Sequence, residues 1–166
     1  MRRRLVLSFL LVLFAVPAAA QQSIFVVRHA ERADSAGGGS PMMASDPDLS
    51  EAGRARAESL ATALKDAKIT AIFVTPYKRT QQTAAPLAKA LGIQPVPIDP
   101  KDAAGLIEKA KAAGGNVLIV GHSNTVTDIL TRLGVADAPK LGDNDYDNLF
   151  LVVGAEKPSF VRLHYR

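Results

Sequence analysis

Three short runs of apolar, largely β-branched residues constrain this chain more than anything else in it: SIFVV at 23–27, ITAIFVT at 69–75 and VLIV at 117–120. A strand with one solvated face alternates apolar and polar residues. These runs hardly alternate, so both faces of each strand must be covered. The segments between them supply the cover. Residues 49–67 place Ala57, Leu60, Ala61, Leu64 and Ala67 on one helical face, with Ser50 as N-cap and Glu51 in the first turn. Residues 78–91 form a second helix stopped by Gly92, residues 103–113 a third ending at Gly114 and Gly115, and residues 123–133 a fourth stopped by Gly134. Strands alternating with helices predict an α/β fold: a three-layer sandwich whose mostly parallel central sheet carries helices on both faces.

The rest of the chain fits around that frame. QPVPI at 94–98 is strand-like, but Pro95 and Pro97 have no N–H to donate, which makes it an edge strand. Residues 149–153 and 160–163 read as two final strands, with a hairpin about 154–158. Two stretches lack periodicity: 30–48, which contains GGGS at 37–40, and 135–147. Long loops in compact domains usually carry function, and both are expected to shape the mouth of a pocket.

The N-terminus follows a different logic. Arg2, Arg3 and Arg4 precede an apolar run from Leu5 to Val16, broken by Pro17 and followed by Ala18, Ala19 and Ala20. A positive region, a short apolar core and small residues are the pattern of a secretory signal peptide. The apolar run is about 12 residues, short of the roughly 20 that span a bilayer. Cleavage after Ala20 is expected, leaving residues 21–166 as a single domain, periplasmic or secreted, with no membrane insertion. The formal charge of +4 then loses three arginines and falls to +1, so nucleic acid is not an expected partner. The absence of Trp and the 5% aromatic content point the same way. With no Cys in the chain there are no disulfides, thiolate metal sites or cysteine nucleophiles.

The polar chemistry collects where the apolar runs stop. The first ends in Arg28-His29-Ala30-Glu31, the second in Thr75-Pro76-Tyr77-Lys78-Arg79, and the third in Gly121-His122-Ser123-Asn124-Thr125. Parallel strands bring their carboxyl ends to one rim, where ligand sites of open α/β sheets lie. That rim would hold two of the three histidines together with Arg28 and Arg79. His164, near the terminus, reads as an ordinary surface residue. Two guanidiniums converging on one point clamp an oxyanion, and helix N-termini after Thr75 and Gly121 add N–H donors. A phosphoryl group is the natural guest. A neutral imidazole beside it can attack phosphorus, and a second, protonated one can stabilise the equatorial oxygens. No metal-ligand spacing is present, so neither metal nor cofactor is expected.

These residues resemble a known family, the histidine phosphatase superfamily, also called phosphoglycerate mutase-like. Arg28-His29-Ala30-Glu31 resembles its first signature. Leu49-Ser50-Glu51-Ala52-Gly53 with Arg56-Ala57, Thr75-Pro76 with Arg79-Thr80-Gln81-Gln82-Thr83-Ala84, and Val120-Gly121-His122-Ser123 follow in family order. The resemblance implies that His29 becomes phosphohistidine and that Arg28, Arg79 and His122 form the phosphate pocket. It also implies an acidic proton donor, often just after the third strand. Asp99 is the preferred residue there, Asp102 and Glu31 its rivals, while Glu31 and Asn124 are further candidates for substrate binding. Some members that act on phosphohistidine lack such an acid. The chain has no room for the inserted cap of mutases, and an exported protein would not meet glycolytic intermediates. The resemblance therefore implies a phosphatase acting on a phosphorylated small molecule or phosphoprotein. The alternative is a phosphate-binding module on the same fold. Oligomeric state is not legible.

Overall fold

A computed structural model of the chain describes residues 21–34, 46–154 and 157–166. The expected signal peptide, most of the first loop and the tip of the final hairpin lie outside these residues. In chain order the elements are β1 (Ser23–Arg28), α1 (Glu51–Leu64), β2 (Ile69–Val74), α2 (Lys78–Leu91), β3 (Val96–Pro97), α3 (Ala103–Ala112), β4 (Asn116–Gly121), α4 (Ser123–Arg132), β5 (Asn148–Val153) and β6 (Ser159–His164). The six strands form one sheet in the order β3-β2-β4-β1-β5-β6. The pairs β1–β4, β2–β4 and β2–β3 are parallel, while β1–β5 and β5–β6 are antiparallel. The proline-bearing strand sits at an edge, as its missing donors require.

Alternation along the buried strands fills two cores. Ile24 and Val26 of β1, with Val117 and Ile119 of β4, face Leu106, Ile107, Val126, Ile129 and Leu130 of α3 and α4. Phe25, Val27, Leu118 and Val120 face Leu60, Ala61 and Leu64 of α1 and Ala84 and Leu87 of α2. This two-sided burial explains why the strands read as continuous apolar runs. The helix limits have local causes. Ser50 caps α1 by accepting from Gly53 N (3.0 Å). Gly92 ends α2 with φ +66°, a conformation that favours glycine. Gly53 is demanded by contact rather than by dihedral angle. A Cβ there would collide with the Glu31 carbonyl oxygen, so the first turn of α1 rests directly on the backbone after β1.

The sheet places the site by register. Arg28 of β1 and Gly121 of β4 are partners in the parallel ladder, and His29 N donates to Gly121 O (2.9 Å). The next residue of each strand is a histidine. His29 and His122 therefore leave the sheet side by side, at the carboxyl ends of its two central parallel strands.

Candidate active site

The two imidazole centroids lie 5.3 Å apart, at 63° to one another. Both rings are almost wholly buried, with 4% of His29 and 7% of His122 exposed. They stand at the floor of an open cleft of about 830 Å³ that Arg28 and Arg79 also line. The structure thus brings together the four side chains that sequence reasoning grouped from three strand ends.

The backing of His29 is simple. Its Nδ1 lies 2.8 Å from Ala30 O. A carbonyl only accepts, so Nδ1 bears the hydrogen and Nε2 carries the lone pair. Ala30 is itself fixed, because its N–H donates to Thr83 Oγ1 (2.9 Å), whose hydroxyl donates to Arg79 O (2.7 Å). Burial pushes the His29 pKa down to about 3. The Ala30 bond opposes this, while His122, Arg28 and Arg79 add to it. Desolvation is the larger cause and the neighbouring cations the smaller one.

His122 has a longer backing. Its Nε2 lies 3.0 Å from Thr75 Oγ1, which lies 2.9 Å from Thr80 Oγ1. Its Nδ1 is buried with no partner among the described residues. Burial, then Arg79 and Arg28, lower its pKa to about 4, while Asp46 raises it. These shifts hold the ring neutral at neutral pH in the protein alone; the expectation of a protonated second imidazole concerns the ring beside a phosphoryl group.

The guanidiniums are held from outside. Arg28 Nη1 donates to Gly142 O (2.7 Å) and Asp143 O (3.0 Å), and its guanidinium carbon lies 4.1 Å from the Tyr146 ring centroid. Arg79 lies 4.4 Å from the Tyr77 ring centroid, with Nη1 3.6 Å from Asp46 Oδ1. The Nε atoms of both arginines are buried and unpartnered among the described residues. Thr75 and Tyr77 lie in the polar segment that ends the second apolar run, but the sequence gives neither side chain a role of its own. Tyr146 and the 142–143 carbonyls are hinted at only by the loop at 135–147, which was expected to shape the pocket mouth.

The acidic candidates fall elsewhere. Glu31 forms a two-pronged ion pair with Arg56, with Nη2 2.7 Å and Nε 2.9 Å from its oxygens. Burial pushes its pKa up, but the Arg56 hydrogen bonds prevail and the net shift is downward. A carboxylate held ionised in this way neither donates a proton nor binds an anion. Its place is structural, tying the first motif to α1, and the expectation of a role in the pocket is corrected. Asp99 accepts from Lys101 N (2.8 Å) and Asp102 from Gly105 N (2.9 Å), the latter as N-cap of α3. Pro100 and Lys101 line the cleft, but Asp99 lines a separate small apolar cavity beside it. The acids lining the cleft among the described residues are Asp34 and Asp143. Asn124 lies on the cleft wall and is exposed. His164 is half exposed and pairs with Asp147 (3.1 Å), a surface contact as expected. No group of three or more metal-ligating side chains occurs among the described residues, and no described helix is long and apolar enough to cross a membrane.

Comparison with known proteins supports the same frame. The sequence model described as histidine phosphatase superfamily (branch 1) matches residues 24–108. No curated protein matches the chain. Among solved structures, phosphoglycerate mutase from Bacillus anthracis superposes with a TM-score of 0.68 at 16% identity, covering 87% of this chain and 93% of that one. The protein histidine phosphatase SixA, complexed with tungstate, gives 0.66 at 19% identity over 86% and 96%. A mycobacterial glucosyl-3-phosphoglycerate phosphatase gives 0.64 at 17% identity over 88% and 99%. At such identities the likeness establishes the fold.

Proposed function

The chain belongs to the histidine phosphatase superfamily (branch 1), and we propose that within it this protein is an exported phosphatase working through phosphohistidine on His29. The observation that carries the reading is one cleft lined together by His29, His122, Arg28 and Arg79, with Arg28 Nε, Arg79 Nε and His122 Nδ1 buried and without a partner among the described residues. Buried polar groups are nearly always satisfied, and each exception asks for a partner. Two guanidiniums and an imidazole around one point suit a tetrahedral oxyanion. SixA, a neighbour in fold, takes tungstate, an anion of that shape.

The steps follow from the His29 tautomer. Nε2 attacks phosphorus of a monoester, the P–N bond forms, and the P–O bond to the leaving group breaks. Water then attacks phosphorus, the P–N bond breaks, and inorganic phosphate leaves with His29 restored. Arg28 and Arg79 neutralise charge on the equatorial oxygens throughout. None of the candidate donors Glu31, Asp99 and Asp102 lines the cleft, and each is engaged elsewhere; of the acids on its wall, Asp34 pairs with Arg32 and Asp143 is the other. Without a donor among the three candidates, leaving groups that need little proton assistance, aryl oxides and imidazoles, are favoured over alkoxides. A phosphorylated histidine in a protein is accordingly a second reading of the substrate. Location outside the cytoplasm rests on the signal-peptide pattern of residues 1–20.

The test uses residues 21–166, an aryl phosphate panel with phosphohistidine, and a chelator in the buffer. Turnover by the wild type and none by His29→Ala supports the reading, as does acid-labile ³²P trapped on His29. An equally active His29→Ala removes the nucleophile. Saturable phosphate binding with no turnover on any substrate makes the protein a binding module instead.

A further inference from the structure

The hydrogen bonds behind His122 run in one direction. Thr80 Oγ1 lies 2.9 Å from Tyr77 O and 3.0 Å from Thr75 O, and it also receives Thr75 N–H (3.2 Å). Carbonyls only accept, so the single hydroxyl hydrogen of Thr80 is directed to them. The 2.9 Å contact between the two hydroxyl oxygens then needs a hydrogen from Thr75. With that hydrogen directed to Thr80, Thr75 Oγ1 accepts from His122 Nε2. The chain runs from Nε2–H through Thr75 and Thr80 to the main-chain carbonyls, and it leaves the lone pair on Nδ1, which has no partner among the described residues.

A lone pair repels an oxyanion. We propose that the Thr75–Thr80 hydroxyl chain makes phosphoryl binding proton-linked: it commits the Nε2 hydrogen of His122 to the protein, so Nδ1 engages the phosphoryl oxygen only by sharing one additional proton. A monoanionic phosphoryl group brings that proton as its own P–OH. A dianion takes it from solvent, and His122 becomes an imidazolium with Nε2–H on Thr75 and Nδ1–H on the oxyanion. The groups facing the ring fit this scheme. Burial, then Arg79 and Arg28, keep it neutral when no anion is bound, with Asp46 the opposing carboxylate; the His29 and Tyr77 rings stand edge-on at 5.3 and 5.5 Å. An entering anion reverses that balance. The proton then lies against a phosphoryl oxygen, within the cleft where a leaving group departs.

This rests on the phosphoryl reading of the cleft, and the experiment separates the two. Inorganic phosphate binding to residues 21–166 is measured calorimetrically in buffers of different ionisation enthalpy, with ¹⁵N spectra of the imidazoles. At pH 8, where phosphate is a dianion, wild type is expected to take up about one proton per phosphate, falling toward zero at about pH 5.5. His122 should show Nε2–H in the free protein and both hydrogens in the complex. Thr75→Ser should behave as wild type. Thr75→Val, nearly isosteric, should lose most of the uptake at pH 8 and flatten the pH dependence of affinity. Binding without uptake, full uptake in Thr75→Val, an Nδ1–H tautomer in the free wild type, or the proton found on His29 each overturns this inference alone. Failure to bind phosphate overturns the phosphoryl reading and this inference with it.

Discussion

His29 and His122 follow paired residues of neighbouring strands and share one cleft, yet they are backed differently. His29 donates directly to the carbonyl of the next residue. His122 reaches main-chain carbonyls through two hydroxyls that come from the end of β2 and the start of α2. The short backing is rigid and local, which suits a nucleophile whose Nε2 must keep its lone pair. The long one is assembled by tertiary contact, which suits a group whose protonation follows its ligand. Equivalent positions in the sheet thus yield unequal chemistry, because the sheet fixes where a side chain starts and the second layer of contacts fixes its hydrogens.

Exchanging the two residues for non-basic ones breaks that comparison most severely. His29→Asn should lose phosphoenzyme formation entirely, with turnover down by about 10⁴-fold or more. His122→Asn removes one contact to the oxyanion and should lower kcat/KM by roughly 10²- to 10³-fold while still trapping ³²P on His29. Quench-and-label experiments on both variants check this. Equal trapping by His29→Asn, or none by His122→Asn, would reverse the assigned roles.

Acid should destabilise both imidazoles in the same direction. Their pKa values, about 3 and about 4 in the folded protein, lie below the ordinary 6.5. Between 6.5 and those values the unfolded chain binds protons that the folded chain does not. Their contribution to stability is therefore complete above about pH 6.5 and lost as the pH falls toward 4 and 3. Urea denaturation at pH 7 and pH 4 should show the wild type losing about a few kcal/mol more than the doubly substituted His29→Asn/His122→Asn protein. Carboxylate titration is common to both proteins and cancels in the difference.

Much of this site is legible in the sequence because it is written at strand ends. Arg28, His29 and His122 sit at or just beyond the last residue of a buried run, and Arg79 lies one residue into α2, so topology alone brings them together. Helix limits are legible for similar reasons: Ser50, Gly92 and Gly134 act within one turn of their own position. The contacts of Glu31 and Tyr146 are not. The partner of Glu31 is Arg56, on a helix 25 residues away, and only the close approach of Gly53 to the Glu31 backbone creates that pairing. Tyr146 lies in an aperiodic loop whose fold depends on contacts such as Asp145 Oδ2 to Gly142 N (2.7 Å). Pairings between distant irregular segments leave no period to read.

Tyr146 offers a gentler test of the second layer. Its ring covers the Arg28 guanidinium, and its centroid lies 6.1 Å from that of His29. Tyr146→Leu removes a cation–π contact worth about 0.5–2 kcal/mol and should raise KM by roughly 3- to 10-fold with little change in kcat. Tyr146→Phe keeps the ring and should match the wild type. A loss confined to kcat in either variant would mean that the phenol takes part in the chemistry.

The smallest effect is expected at the acid that sequence position favours. Asp99 is exposed, and its Oδ1 accepts from Lys101 N, so its carboxylate stabilises a turn at the cleft margin. An amide oxygen accepts that bond equally well. Asp99→Asn should therefore alter turnover by no more than about twofold, within the range of ordinary surface substitutions. Comparing substrates of good and poor leaving ability sharpens the measurement, because loss of a true proton donor would slow alkyl phosphates far more than aryl phosphates. A large, leaving-group-dependent loss in Asp99→Asn would require the turn to open during catalysis. It would also place a leaving-group proton donor at the cleft margin, where the structure shows a turn-stabilising carboxylate.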